Sequence, residues 1–338
     1  MILLRSVREK DLAGLYELSS LLDSLNLPHQ RSLLRQNIAH AVASFRGRQR
    51  QKAKAIYIFV AEDTRTRRVV GTSAIFARHG AKRAPHIYFD VRKEVRRSRT
   101  QIIRAMHRTL RLGWTKDGPT EVGGLVVLPA YRRLPVKVGK QLSLVRFLYM
   151  AMHPGRFKKR VLCEFLPEFP RGKSLLWEYL GRRFTGLEYH AADHLSAVNK
   201  EFILGLFPHA KLYATLMPER VQAILEKTGE ESLPAQKMLE KIGFRYLRQV
   251  CPFDGGPHFG ARLADITVVR RARMLCVEDT PGRPGGEVSG LVLSDKNGVV
   301  RAMHGDVTLR QGCIGMPDEM RDVLEVKHHD TVAFCVMA

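Results

Sequence analysis

The middle of the sequence, from Glu121 to Met150, has the pattern of a buried strand, a basic loop and an apolar helix. The run from Val122 to Leu128 is rich in valine and leucine, and we expect the helix to begin near Gln141. The loop between them carries residues that suit an anion: Arg132, Arg133, Lys137, Gly139 and Lys140. Backbone N–H groups at a helix N-terminus attract phosphate, and nearby lysines add to that attraction. This order predicts a pyrophosphate site, although an ordinary strand–helix unit with a solvated basic loop has the same pattern.

The length and composition predict a globular protein. The chain has 338 residues, 45% of them hydrophobic, which is enough for one large domain and a smaller one. Charges follow the first four residues directly, and no uncharged apolar run approaches the roughly 20 residues of a membrane span. We therefore expect a cytoplasmic protein with no membrane segment. The five cysteines are scattered and form no C-x-x-C pair, so we expect buried thiols, no disulfide and no metal.

Positive charge is the strongest compositional signal, with a formal net charge of +23. It is concentrated in residues 1–274, which hold 50 Lys and Arg against 23 Asp and Glu. Such a body favours a polyphosphate cofactor, an acidic substrate, nucleic acid or an anionic membrane surface, and charge alone does not choose among them. The basic run Arg46–Lys54 has no interleaved aromatic residues to stack on bases, so it is a weak nucleic-acid signal.

The pattern of segments predicts an α/β protein with two domains. Residues 1–274 form the first, and its clearest parts are a hairpin, a further strand and a basic helix, at residues 55–76, 84–92 and 100–112. A stretch rich in proline and glycine marks a linker, which we place at residues 275–284. Residues 285–338 hold short β-rich runs separated by turn residues, so we expect a small barrel-like or sandwich-like β domain.

Motifs spread along most of the chain carry a resemblance to a known family. They are Leu4–Asp11, Phe59–Asp63, Gly71, Leu142–Phe147, Trp177, Leu180–Arg182, Phe184, Ala192–Asp193, Lys200, Phe202–Ile203, Tyr213, Pro234–Tyr246 and Phe253–Pro257. Through them the chain resembles the arginine N-succinyltransferases, a family of the GCN5-related acyltransferase superfamily. The β-rich C-terminal segment is also a feature of that family.

The resemblance implies a fold, a reaction and a cofactor site. The fold is α+β, with a mixed central sheet flanked by helices, and the reaction moves a succinyl group from succinyl-CoA to the amine of arginine or ornithine in arginine catabolism. The acyl-CoA contacts implied here are Leu125, Val126, Val127, Arg132, Lys137, Gly139 and Lys140. Leu125 occupies the family's succinyl-CoA position, and a core role for its side chain is the alternative. The family also implies a homodimer or a heterodimer with a related subunit.

Two departures from the family pattern bear on function. The pyrophosphate loop of the superfamily is usually Q/R-x-x-G-x-G/A, whereas six residues separate Arg132 from Gly139 here, and Lys140 replaces a small residue. Either lysine charge replaces some backbone contacts, or the cofactor binds more weakly. The family's proton-donor histidine corresponds to Gly229 in this chain, so that assignment does not carry over.

Acyl transfer to an amine needs a proton acceptor and donors for the developing oxyanion. Glu164 and Glu121 lie in apolar β-rich runs, where burial raises the pKa of a carboxyl group, so both are candidate bases. Glu164 is preferred because the superfamily does its chemistry beside the corresponding strand, and an ion pair with an arginine is its alternative role. His258 follows the Phe253–Pro257 turn and is either a candidate acid or base or a bystander.

The leading hypothesis is therefore an N-acyltransferase that uses succinyl-CoA and no metal. Arginine or ornithine is the expected acceptor. Because a strongly basic body opposes the approach of a cation, another amine or acyl donor stays open. The alternative from another class is a catalytically impaired nucleic-acid-binding or regulatory subunit, suggested by Gly229 and by the basic clusters 46–54, 65–68 and 92–99.

Overall fold

The chain forms two compact units. The computed structural model describes residues 1–22, 26–81, 84–278 and 287–337. The first unit comprises residues 1–77, 120–159 and 262–338, and the second comprises residues 78–119 and 160–261. This division differs from the predicted domains, because the C-terminal β segment groups with the N-terminal part of the chain.

The strands and the helices are each numbered in the order of the chain. The strands found in the described residues are β1 (Ile2–Ser6), β2 (Ile56–Asp63), β3 (Arg68–Phe76), β4 (His86–Arg97), β5 (Arg104–Thr115), β6 (Thr120–Val127), β7 (Arg160–Glu164), β8 (Leu212–Tyr213), β9 (Arg245–Val250), β10 (Pro257–Arg262), β11 (Arg273–Val277), β12 (Glu287–Lys296), β13 (Val299–Arg310), β14 (Cys313–Gly315) and β15 (Thr331–Val336). The helices there are α1 (Leu12–Ser19), α2 (Arg31–Phe45), α3 (Pro129–Arg132), α4 (Val138–Met152), α5 (Arg182–Thr185), α6 (Tyr189–Val198), α7 (Glu201–Leu206), α8 (Glu219–Ile224), α9 (Leu233–Lys241), α10 (Thr267–Arg271) and α11 (Asp318–Leu324). None of these helices is both long and apolar enough to cross a membrane.

The first unit is built on an antiparallel sheet in the order β1-β2-β3-β6, on which α1, α2 and α4 pack. Helix α4 is the most buried of these helices, since every side chain from Gln141 to Met150 is buried. Full burial of a leucine or phenylalanine side chain contributes about 1.5–3 kcal/mol, so this apolar run anchors the helix firmly to the sheet. The N-terminus of α4 is therefore held in a fixed position at the end of β6.

The C-terminal segment of the first unit forms a small closed barrel. Its strands follow the order β12-β15-β11-β14-β13, and pairing of β12 with β13 closes the circle. β13 also pairs with β1, with Leu4 opposite Ala302. The predicted α/β class with a small C-terminal β-barrel is confirmed. The predicted linker 275–284 is wrong at its start, because residues 275–277 belong to β11; residues 279–284 lie outside the described residues.

The second unit has its own sheet, in the order β7-β10-β9-β4-β5-β8. Its core includes Trp177, whose ring stacks on Phe253 with a centroid separation of 4.9 Å. The predicted basic helix at residues 100–112 is wrong, since most of that segment is strand β5, which pairs with β4 along twelve residues of each strand. Leu110 and Leu112 are buried while Arg111 between them is exposed, which is the alternation of a strand.

Candidate active site

Strand β6 of the first unit contains a β-bulge. Its pairing with β3 shifts at Gly124 and Leu125, where two residues of β6 face one residue of β3. Gly124 has φ +59°, a left-handed conformation that glycine adopts without strain. A bulge leaves its extra residue out of the ladder, so backbone groups here are available to a ligand. The Leu125 side chain is half-buried, whereas Val126 and Val127 are buried.

Helix α4 begins at Val138, three residues before the predicted start near Gln141. Gly139 and Lys140 therefore lie in the first turn of the helix and not in the preceding loop. Lys137 occupies the N-cap position in a left-handed conformation, with φ +49°, and its side chain makes no capping hydrogen bond. The Lys140 N–H donates to the carbonyl oxygen of Lys137 at 2.9 Å, so an anion at the start of this 15-residue helix would take the N–H groups of Val138 and Gly139.

Two side-chain hydrogen bonds fix the segment between β6 and α4. Arg132 Nε donates to the carbonyl oxygen of Val127 at 2.9 Å, and Gln141 Nε2 donates to that of Val136 at 2.6 Å. Arg132 is exposed, so it adds positive charge while it stabilises the turn. A Cβ atom at Gly139 would have only Val127 Cγ2 within 4 Å, at 3.7 Å, so the start of the helix is open.

The second unit brings three histidines together around one carboxylate. Nε2 of His79, Nδ1 of His86 and Nε2 of His258 lie 3.7, 3.6 and 3.5 Å from Oε1 of Glu164. His86 begins β4, Glu164 ends β7 and His258 lies on β10. His79 is held by its backbone N–H, which donates to the carbonyl oxygen of Pro119 at 2.7 Å. Sequence reasoning found Glu164 and His258 but not that the sheet brings them together.

Burial divides this cluster into an inner and an outer part. The side chains of His86 and His258 are 4% and 0% exposed, whereas those of His79 and Glu164 are 19% and 26% exposed. Burial, with smaller contributions from the neighbouring imidazoles and Lys200, lowers the pKa of His86 and keeps its ring neutral. A partly exposed carboxylate beside imidazoles has the chemistry to accept and pass on a proton.

The remaining predicted base, Glu121, has a different environment in the first unit. Its side chain is buried, and its Oε1 accepts a hydrogen bond from Asn26 Nδ2 at 2.8 Å. Sequence reasoning missed His79 and His86. His79 lies between the predicted strands, and His86 lies within the strand predicted at residues 84–92, so a place near the start of a strand was the one available signal.

The turn after β9 carries a second perturbed carboxyl group. Asp254 Oδ1 accepts the N–H of Gly256 at 2.7 Å, and Gly255 has φ +82°, so this turn has the structural role that its glycines suggest. Burial raises the pKa of Asp254 to about 7, and the negative charge of Glu164 acts in the same direction.

We expect Asp254→Asn to stabilise the protein increasingly as the pH rises. The pKa of Asp254 in the folded state lies above its unfolded value of about 3.9. The neutral carboxyl group therefore makes its full contribution to stability below pH ~4, and this contribution is lost as the pH rises through about 7. The amide still accepts the N–H of Gly256 but does not ionise. At about 1.4 kcal/mol per pKa unit, the variant should gain a few kcal/mol over the wild type by pH 8. Urea denaturation at pH 5, 6.5 and 8 measures this, and a pH-independent difference in free energy of unfolding would contradict it.

Gly229, the position to which the resemblance assigns the family's histidine, is packed against backbone. Its N–H donates to the carbonyl oxygen of Leu166 at 2.9 Å. A Cβ atom there would lie 2.9 Å from the carbonyl carbon of Pro167 and 3.1 Å from the nitrogen of Glu168. These atoms belong to the main chain and cannot rotate away. The local packing of this chain therefore excludes a histidine at this position.

Gly229→His is expected to lower the free energy of unfolding by about 1–3 kcal/mol without raising any transferase rate, because the side chain displaces the backbone of Pro167. Gly229→Ala should share most of this cost. Gly155→Ala is the matched control, since a Cβ atom there has no neighbour within 4 Å. Chemical denaturation and turnover measurements test this, and a histidine variant that is stable and more active would contradict it.

Comparisons with known proteins give consistent results. Residues 2–268 match the family described as arginine N-succinyltransferase beta subunit. The arginine N-succinyltransferase of Photorhabdus laumondii subsp. laumondii is 32% identical over 281 residues, covering 82% of this chain and 81% of that protein. The enzyme of the same name from Enterobacter sp. (strain 638) is 30% identical over 338 residues, covering 98% and 96%. The structure of arginine/ornithine succinyltransferase subunit AI from Pseudomonas aeruginosa superposes with a TM-score of 0.83 at 26% identity, covering 99% of this chain and 98% of that chain.

The bulged strand β6 and the helix N-terminus that follows it agree with the GCN5-related acyltransferase fold that the sequence predicts. With the matches above, the chain belongs to the arginine N-succinyltransferase family, whose members are acyl-CoA-dependent transferases. The predicted family and fold are confirmed.

Proposed function

We propose that this protein transfers a succinyl group from succinyl-CoA to the amine of arginine or ornithine, as a step of arginine catabolism. The family match over residues 2–268 supports the reaction, and the Pseudomonas relative is named for both amino acids. The observation that carries the proposal is the bulge of β6 followed by the N-terminus of α4.

Acyl-CoA binds along the first unit in this proposal. The backbone of Leu125–Val127 pairs with the amides of pantetheine, and the bulge supplies an N–H group to the thioester carbonyl as negative charge develops on its oxygen. The pyrophosphate takes the first-turn N–H groups at Gly139, with positive charge from Arg132, Lys137 and Lys140. The extra lysines offset the glycine that the superfamily loop has and this chain lacks.

Glu164 accepts the proton that the ammonium group of the acceptor loses. The neutral amine then attacks the thioester carbonyl, an N–C bond forms and the C–S bond breaks. The CoA thiolate leaves and takes up the second proton, which the attacking nitrogen loses as it becomes an amide. Glu164 is assigned this role over Glu121 because its carboxylate is partly exposed and adjoins imidazoles, whereas Glu121 is buried against Asn26. His258 contacts Glu164 from the protein interior and holds its orientation.

The test is an assay of the purified full chain with succinyl-CoA and a panel of amines: arginine, ornithine, lysine and a neutral amino acid. Thiol release is followed with a chromogenic reagent, and the acylated product is identified by mass. We expect release with arginine or ornithine. If no amine releases thiol and calorimetry detects no CoA binding, the proposal fails. Release with another amine, or with acetyl-CoA in place of succinyl-CoA, would replace the substrate assignment.

We further propose that the chain assembles with a second copy or a related subunit in the cytoplasm. Support comes from the family's name, which includes "beta subunit", and from the name of the Pseudomonas relative, which is "subunit AI". The location follows from the use of an intracellular thioester. Sedimentation of the purified chain, alone and with a related subunit, measures the assembly.

A second candidate is a regulatory subunit without catalysis, favoured by the packing that excludes a side chain at Gly229. It predicts acyl-CoA binding without turnover. If the basic residues of β4 also bind nucleic acid, that affinity should fall steeply with salt and should not depend on Lys137 and Lys140. Turnover by the chain alone would exclude this candidate.

A further inference from the structure

We propose that His79, His86 and Glu164 form a binding site for a divalent transition-metal ion, with Zn²⁺ as the best fit. One ligand atom from each residue lies within 4.8 Å of the others. The proposal concerns the second unit alone and does not require the transferase activity. It replaces the sequence-based expectation of a protein without a metal.

The spacing of the ligand atoms fits a shared cation better than it fits hydrogen bonds. Hydrogen bonds from N–H to oxygen join atoms about 2.7–3.2 Å apart. The separations from Glu164 Oε1 to His79 Nε2 and His86 Nδ1 are 3.7 and 3.6 Å. In a tetrahedral zinc site with bonds of about 2.0–2.1 Å, neighbouring ligand atoms lie about 3.4 Å apart. These two separations reach that spacing with a contraction of a few tenths of an ångström, and the two imidazole nitrogens lie within 4.8 Å of each other.

The donor types match the same ions. Two imidazole nitrogens and one carboxylate oxygen suit Zn²⁺ and its neighbours Co²⁺ and Ni²⁺, and three protein ligands leave a position for water. Nδ1 of His86 is buried and makes no hydrogen bond within the described part of the protein. A buried polar atom without a hydrogen bond destabilises the folded state, and a bond to a metal ion would remove that cost.

The residues around the cluster leave it open to solvent on one side and pack against it on the other. His79 and Glu164 are partly exposed, so an ion can reach the cluster from solvent. His258 is fully buried and lies 3.5 Å from the same carboxylate oxygen, so it packs against the carboxylate on the interior side. Such neighbours of metal ligands commonly change metal affinity by about 10- to 100-fold.

Metal binding also predicts an effect on acyl transfer. This prediction rests on the proposed function, whereas the metal site itself does not. A cation on Glu164 occupies the carboxylate that accepts the proton of the amine. Zn²⁺ should therefore inhibit transfer, and a chelator should restore it. Failure of this inhibition would not affect the metal site itself, which is tested without any substrate.

The test uses the untagged full chain, stripped with a chelator and titrated with Co²⁺ and then Zn²⁺. We expect one ion per chain by elemental analysis after dialysis, the visible absorption of four-coordinate Co²⁺, and a rise in Tm with Zn²⁺ because only the folded state binds it. His79→Ala and Glu164→Gln should each weaken the affinity by more than about 100-fold. The matched control is His107→Ala in the same unit, whose imidazole bonds to Thr215 and which should bind as the wild type does.

Two results would overturn the proposal. One is a wild-type chain that retains no more ion than the His79→Ala, Glu164→Gln double variant. The other is a pair of single variants that bind as tightly as the wild type. Melting curves of the metal-free proteins establish that the variants fold, and His79 is partly exposed, so its removal leaves the core intact.

Discussion

Glu164→Gln is expected to lower kcat for acyl transfer by about 10²- to 10⁴-fold, with little change in KM for acyl-CoA. The amide keeps the size of the side chain and its contacts with the imidazoles, but it cannot accept the proton of the acceptor amine. The measurement is the initial rate of thiol release at saturating acyl-CoA, made in a chelator so that the metal site is empty.

A matched variant separates this effect from a general change of charge. Glu178→Gln removes a carboxylate from the same unit, but one that pairs with Arg182 at the surface, and it should leave kcat within about twofold. If Glu164→Gln retains a rate within threefold of the wild type, Glu164 is not the base. Glu121→Gln, tested in parallel, then decides whether the buried carboxylate next to Asn26 has that role.

Gly139→Asp is expected to weaken acyl-CoA binding by about 100-fold. The new carboxylate would occupy the first turn of α4, where it competes for the N–H groups and repels the pyrophosphate. The fold should be preserved, because the Cβ atom has room and an acidic side chain in a first turn stabilises a helix by about 0.3–1 kcal/mol. Calorimetric titration with CoA measures the affinity, and the melting temperature reports on the helix.

Gly139→Ala is the control for this variant, since it adds the same Cβ atom without charge. Its affinity for CoA should fall by no more than a few fold. Equal losses in the two variants would mean that steric contact and not charge sets the affinity. An aspartate variant that binds CoA as the wild type does would show that the pyrophosphate lies elsewhere.

The sequence predicts strand β6, helix α4 and the order of the elements well, because long apolar runs such as that of α4 have one strong periodicity. It misplaces the start of α4 by three residues for a local reason. Lys137 adopts a left-handed conformation that is usual for glycine, so nothing in its identity predicts a helix boundary there. This three-residue shift bears on the proposed acyl-CoA site, because it makes Gly139 and Lys140 first-turn residues.

The errors in the second unit have a non-local origin. Residues 104–115 have no strand signal strong enough to outweigh their arginines, and it is the pairing with β4 that makes them a strand. The histidine cluster is similar, because His86, Glu164 and His258 come from three strands that are far apart in sequence. Residue identity could nominate Glu164 and His258 singly, but only the sheet order brings them within 4 Å.

The pairing of β1 with β13 determines when during synthesis β1 can gain its second neighbouring strand. Leu4 finds its partner Ala302 only after nearly the whole chain has left the ribosome, so one edge of β1 stays open during synthesis. Contacts between residues this distant in sequence form slowly, since a long loop must close first. The protein is thus most prone to aggregate while only its N-terminal half has been synthesised. Slower translation would lengthen that period.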